Sequence, residues 1–179
     1  VAEIDDLMTD TADYNPAANA YEQGSEYRER AIAQFKMSDA IVVSTPFLKD
    51  AYADLNDNIY VVPNSIDFSV WDNVKRKKNN GVTIGWAGGA SHDEDLRIIE
   101  PVVHKILEKF NHVNFCFVHG IPQFLKGIDR VRCVPKFERI DRYPQHIAKQ
   151  GWDIAMATLV KNAFNMAKSN LRWLEAGAL

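Results

Sequence analysis

The feature that most constrains the fold of this chain is a series of short apolar runs that are continuous rather than alternating. They are Ile41–Val43, Ile59–Val62, Val82–Trp86, Val113–Val118, Val131–Val134 and Asp153–Thr158. A strand with one wet face alternates polar and apolar residues, so these runs predict strands covered on both faces. Segments with helical spacing separate most of them. Leu96, Ile99, Val103, Ile106 and Phe110 fall three or four apart and mark one helix face, with Pro101 requiring a kink or a start nearby. Thr45-Pro46 supplies a capping side chain followed by a proline suited to the first helical position. Strands alternating with helices predict an α/β fold: a doubly wound, Rossmann-like parallel sheet with helices on both faces.

One polar stretch divides the pattern. Pro63 to Asn80 holds a Pro63-Asn64-Ser65 turn signature, a short helical turn near Phe68–Trp71 and no strand signal. The expected organisation is residues 1–64 as the end of one Rossmann-like domain, 65–80 as linker, and 81–179 as a second, incomplete one. Val1-Ala2-Glu3-Ile4 reads as a strand already under way, and Glu175 to Leu179 stops where a helix would lead into another strand. Both ends are therefore expected to be cuts within a longer protein.

Composition excludes some partners. The net charge of −3 argues against a nucleic-acid surface, and the one dense basic run, Lys75 to Lys78, reads as solvated linker. Cys116 and Cys133 lie in apolar runs and are expected as buried free thiols. Neither cysteine, nor any of the five histidines, has companions at metal-ligand spacing. No apolar run has the length of a membrane span. The expectation is a cytoplasmic protein, a location compatible with peripheral membrane contact.

Three segments can carry chemistry. The first is Gly85-Trp86-Ala87-Gly88-Gly89-Ala90-Ser91-His92, after a strand and before a helix. Small residues there admit a ligand close to the backbone, and N–H groups at a helix start favour phosphate. A tight turn that binds nothing fits the same residues. The pattern is not G-x-G-x-x-G, and no Walker lysine follows. The second is Lys161, Lys168, Ser169, Asn170 and Glu175 around the last helix. A lysine at the positive end of a helix is unfavourable unless an anion lies between them, and Glu175 could accept hydrogen bonds from sugar hydroxyls. An ordinary surface helix is the plainer alternative. The third is Glu3, Asp5 and Asp6 at a strand end, suited to a metal, to base chemistry or simply to capping a helix. His92 and His119 follow strands, where a ligand would bind.

Five segments in order resemble GT-B-fold retaining glycosyltransferases of the group 1, or family 4-like, kind. They are Glu3–Asp6, Ser38–Thr45, Val61–Asp67, Ile84–Gly89 with His92, and Lys168–Glu175. The resemblance covers nearly the whole chain. It implies a hexosyltransferase moving a sugar from a UDP- or GDP-sugar to a hydroxyl of a glycan, lipid or protein acceptor. It implies no cofactor beyond the donor substrate, no metal, and no activity in the fragment alone. By resemblance, Gly88 and Gly89 approach the diphosphate, and Lys168, Ser169 and Asn170 bind it. Glu175 meets the ribose, and the segment with Pro135 and Phe137 lies near the base. Asp5 and Asp6 face the acceptor side. The commonest pattern has a second glutamate where Ala167 stands, and an Arg and a Lys after the first donor-domain strand. Their absence resembles a subgroup with G-W-x-G-x-x-x-H and K-S-N-L-K/R-W-x-E segments, in which Lys168 and His92 are expected to neutralise charge. A non-catalytic nucleotide-binding domain and an NAD-dependent Rossmann oxidoreductase are the alternatives.

Overall fold

A computed structural model of the chain describes every residue except Ala90, Ser91 and Glu138. Two residues of the Gly85–His92 segment, Ala90 and Ser91, thus lie outside the described residues. The chain divides into two compact units: Val1–Ser65 with Val160–Leu171, and Ile66–Leu159 with Arg172–Leu179. Residues 160–171, grouped with the donor side in the sequence, cluster with the first unit, and the 66–80 stretch with the second.

The first unit is built on a parallel sheet of β1 (Ala2–Ile4), β2 (Ile41–Val43) and β3 (Ile59–Val61), with β2 in the centre. Helices α1 (Ala18–Tyr21) and α2 (Glu26–Met37) lie between β1 and β2, and α3 (Pro46–Ala51) between β2 and β3. Ile41, Val43, Leu48 and Phe35 fill the core with Phe164 and Ala167. The Thr45 hydroxyl accepts from the Leu48 N–H at 3.2 Å, as the sequence predicts, and donates to the Ala167 carbonyl at 3.0 Å. Tyr52 is buried, and its hydroxyl accepts from Met8 N–H and donates to the Asp6 carbonyl, both at 2.9 Å. Burial pushes that phenol up to about 12. The hydroxyl so fixes the loop after β1, which carries Asp5 and Asp6.

The second unit begins with the short α4 (Phe68–Trp71) and continues to a four-stranded parallel sheet. Its strands are β4 (Val82–Ala87), β5 (Val113–Val118), β6 (Val131–Val134) and β7 (Ile154–Ala155), in the order β6-β5-β4-β7. The two central strands carry the longest apolar runs and are the most deeply buried. Both units thus have the parallel α/β, Rossmann-like architecture that continuous apolar runs predict.

Three expectations change. The predicted single helix face is shared by α5 (Asp93–Arg97) and α6 (Glu100–Lys109), with Pro101 in the first turn of α6, where its missing N–H costs nothing. The run Asp153–Thr158 pairs at only two positions, because β7 is an edge and the Asp153 carboxylate is occupied capping the Thr83 N–H at 2.9 Å. Cys133 is exposed while Cys116 is buried: β6 is the opposite edge, with Arg132 and Cys133 both uncovered. Helix α7 (Tyr143–Ala148) follows β6, and α8 (Ala163–Met166) lies in the first unit. Then α9 (Leu171–Gly177) carries Arg172 and Glu175. No described helix is long and apolar enough to cross a membrane.

Candidate functional site

The carboxyl ends of β4 and β5 open into a cleft of about 390 Å³ in the second unit. In doubly wound sheets this is the end where ligands bind, because the strand-to-helix loops splay there. Ala87 and Val118 end the two strands at its floor, and Gly88, Gly89 and His119 continue from them. Phe137 and Tyr143 form an aromatic side, with ring centroids 4.9 Å apart. Arg172 and Glu175, three apart on α9, supply opposite charges from one helix face.

The two glycines have different reasons to be there. A Cβ on Gly88 would sit 2.5 Å from the Trp86 ring and 3.1 Å from the Arg172 guanidinium. At Gly89 a Cβ would meet no described residue within 4 Å. Gly88 therefore serves packing, and Gly89 borders open space. His119 adopts φ 81°, a left-handed conformation disfavoured for any residue with a Cβ. Its N–H bonds the Val134 carbonyl at 2.9 Å, which ties the end of β5 to β6 and holds the turn in place. Strain of this kind persists where surrounding structure dictates it, and it concentrates at ligand sites.

Beneath the cleft lies a layer of charge. The Arg172 guanidinium stacks over Trp86 at 5.3 Å from the ring centroid. One of its nitrogens is 3.5 Å from His92 Nε2, while His92 Nδ1 is 2.7 Å from a carboxylate oxygen of the fully buried Asp95. The Asp95 carboxylate accepts from His92 Nδ1 and so orients the ring. Burial pulls Arg172 below the usual arginine value, opposed by the charges of Tyr143, Glu175 and Asp95. Burial likewise raises the Glu175 carboxyl, while the Tyr143 hydroxyl, donating at 3.1 Å, and Arg172 draw it back. Tyr143 itself is raised by burial and by the adjacent carboxylate. The result is one guanidinium lying on an indole, close to His92 and in the field of several acidic groups, beside an aromatic wall.

Of the sequence-predicted site residues, the cleft collects Gly88, Gly89, His119, Phe137 and Glu175. His92 stands behind them, in contact with Arg172. Pro135 is exposed, and its carbonyl bonds His146 Nε2 at 3.0 Å. The others belong to the first unit. Lys168 is paired with Asp6 at 2.8 Å and lies over the Phe164 ring at 4.3 Å. The Ser169 hydroxyl accepts from Asn64 at 2.8 Å, and Asn170 and Asp5 are exposed. Lys168 therefore already has a carboxylate partner, unlike the anion-seeking lysine expected from sequence.

Sequence reasoning missed Arg172, Tyr143 and Asp95. For Arg172 a signal existed, since it lies one helical turn before Glu175. His92-x-x-Asp95 is likewise an i, i+3 pair at a helix start. Tyr143 had none, because only the β6-to-α7 connection brings it to Glu175. Among the described residues, no group of three or more His, Cys, Asp or Glu is arranged to hold a metal ion. The chain matches no family model, and no curated protein matches it significantly.

Proposed function

We propose that the chain is part of a GT-B-type retaining glycosyltransferase whose second unit receives a UDP- or GDP-sugar in the β4–β5 cleft. The observation that carries this reading is the grouping of three chemistries at the strand carboxyl ends. A half-buried guanidinium beside Gly88-Gly89 suits a diphosphate. The Glu175 carboxylate suits ribose hydroxyls, and the Phe137–Tyr143 wall suits a planar base. In this reading Arg172 takes the diphosphate role that the resemblance gives to Lys168. Charge developing on the leaving diphosphate would be met by fixed donors rather than a metal.

Calorimetry with UDP, GDP and NAD tests the reading. UDP or GDP is expected to bind, to bind equally in EDTA, and to weaken in Arg172→Gln. Binding of NAD alone would replace it with an oxidoreductase. The pairing of Lys168 with Asp6, together with Ala167 where a glutamate is usual, favours a second reading: a nucleotide-binding domain without transferase activity. Nucleotide binding with neither hydrolysis nor transfer of the sugar in the full-length protein would establish that alternative.

A further inference from the structure

At the opposite end of the same sheet, where β4, β5 and β6 begin, the second unit has another cleft, of about 310 Å³. Among the described residues its charged lining is Lys77, Arg130, Arg132 and Lys149, with no carboxylate, in a chain whose net charge is −3. Asn79, Asn114 and Gln150 add neutral polar groups. None of the four cations forms an ion pair with any described residue, although cations elsewhere in the chain do, such as Arg76 with Asp153 and Lys168 with Asp6. Like charges gathered without a counter-charge raise the local positive potential, which an anion entering the cleft relieves.

The cleft is also held rigidly. Arg132 donates to the Gln150 side-chain and backbone oxygens at 2.8 and 3.0 Å, and the buried Gln150 passes the chain on through its amide to the His146 carbonyl at 2.8 Å. Asn79 bonds the Gln150 carbonyl at 2.7 Å and the Thr83 hydroxyl at 3.1 Å, which staples the Lys77–Asn79 segment to the wall. That staple requires Gly151, at φ 67°, because a Cβ there would lie 2.6 Å from both the Asn79 amide and the Lys77 carbonyl. Arg130 bonds the Phe110 and Val113 carbonyls at 2.8 and 3.1 Å and so closes the end of α6 while lending its charge to the cleft. Neutral carbonyls thus orient the guanidinium groups without cancelling them, and the Lys77 and Lys149 ammonium groups are left as mobile point charges at the rim.

We infer that this amino-end cleft is a second binding site, for the phosphate group of a small molecule, separate from the nucleotide-sugar cleft. The geometry suits phosphate: two guanidinium groups held in place by carbonyl oxygens, the Asn114 amide and two exposed ammonium groups, in a volume at the small end of ligand pockets. The occupant is either inorganic phosphate or a phosphomonoester such as a sugar phosphate.

The test is a titration of the 179-residue chain with inorganic phosphate, and separately with glucose 1-phosphate, followed by calorimetry and by backbone amide shifts. Saturable binding is expected, with shifts at Thr83, Asn114, Arg132 and Gln150. The Lys77→Ala/Lys149→Ala double variant, altered only at exposed side chains, is expected to bind at least about tenfold more weakly. Lys149→Glu is expected to abolish binding while melting as the parent does. Tighter binding of the ester than of phosphate identifies an organic ligand, and equal binding identifies the free anion. The inference is overturned if no saturable binding reaches the millimolar range, if shifts map only to Gly88 and Gly89, or if the double variant binds as the parent does. Each result is independent of whether UDP or GDP binds the other cleft.

Discussion

The two ends of the second sheet treat charge in opposite ways. At the carboxyl end, Arg172 is surrounded by Glu175, Tyr143, His92 and, behind the ring, Asp95, and it lies on an indole. At the amino end, none of the four lining cations pairs with a described carboxylate; Arg130 and Arg132 bond carbonyl oxygens instead, and Asp153 is taken up by Arg76 and the Thr83 N–H. Balanced, buried charge gives orientation, because each group has one arrangement that satisfies its neighbours. Unbalanced, exposed charge gives attraction at little structural cost. The first end suits discrimination among ligands by shape and hydrogen bonding; the second suits capture of an anion by charge.

Substitution should expose this contrast most strongly at Arg172. Arg172→Met removes the guanidinium that lies on Trp86 and the positive charge that favours the Glu175 carboxylate, so a loss of about 2 kcal/mol in stability is expected. Nucleotide affinity should fall about 100-fold as well. The matched change at the other end, Lys149→Gln, should alter stability by less than about 0.5 kcal/mol. Denaturant melts read both, and equal losses at the two ends would erase the distinction.

The neighbouring glycines sharpen it further. Gly88→Ala forces a methyl against Trp86 and Arg172 and is expected to cost about 2 kcal/mol, with Trp86 fluorescence altered. Gly89→Ala should leave the melt unchanged to within about 0.5 kcal/mol and instead weaken nucleotide binding. His119→Gly releases left-handed strain of about 1–2 kcal/mol. The greater freedom of glycine in the unfolded chain offsets part of this, so a net gain of about 0.5 kcal/mol is expected in thermal melts.

The smallest effect concerns pH. Burial holds the folded Glu175 carboxyl above its ordinary value of 4.5, so folding takes up a proton between that value and the raised one. Its contribution to stability therefore falls as pH rises through this window. Glu175→Gln should flatten the stability profile above pH 4.5 and leave it unchanged below. A variant whose profile keeps the parental slope there would show that the carboxylate is solvated after all.

Much of the scaffold was readable from the sequence, because continuous apolar runs report burial on both faces. β2, β5 and β6 coincide with their runs, and the Thr45 cap forms as its residue type predicts. The edges were less readable. An apolar run does not say how many partners flank it, so Cys133 was expected inside and Asp153–Thr158 was expected longer. The cleft was half readable. Gly88, Gly89, His119 and Phe137 follow strands, a position that local pattern reveals. Tyr143 and the Asp6–Lys168 pair depend on contacts between residues far apart in sequence, which spacing does not encode.

The indole beneath the cleft has a practical consequence. The chain has four tryptophans; Trp86 is 1% exposed, and it lies under the Arg172 guanidinium and edge-on to the His92 ring at 5.7 Å. A cation held on an indole face acts on the emitting state through its charge, so a ligand that draws Arg172 toward itself shifts a signal the protein already carries. Trp173, 69% exposed, emits from water and serves as the internal reference. Occupancy of the carboxyl-end cleft can thus be read optically, without a label, in the unmodified chain.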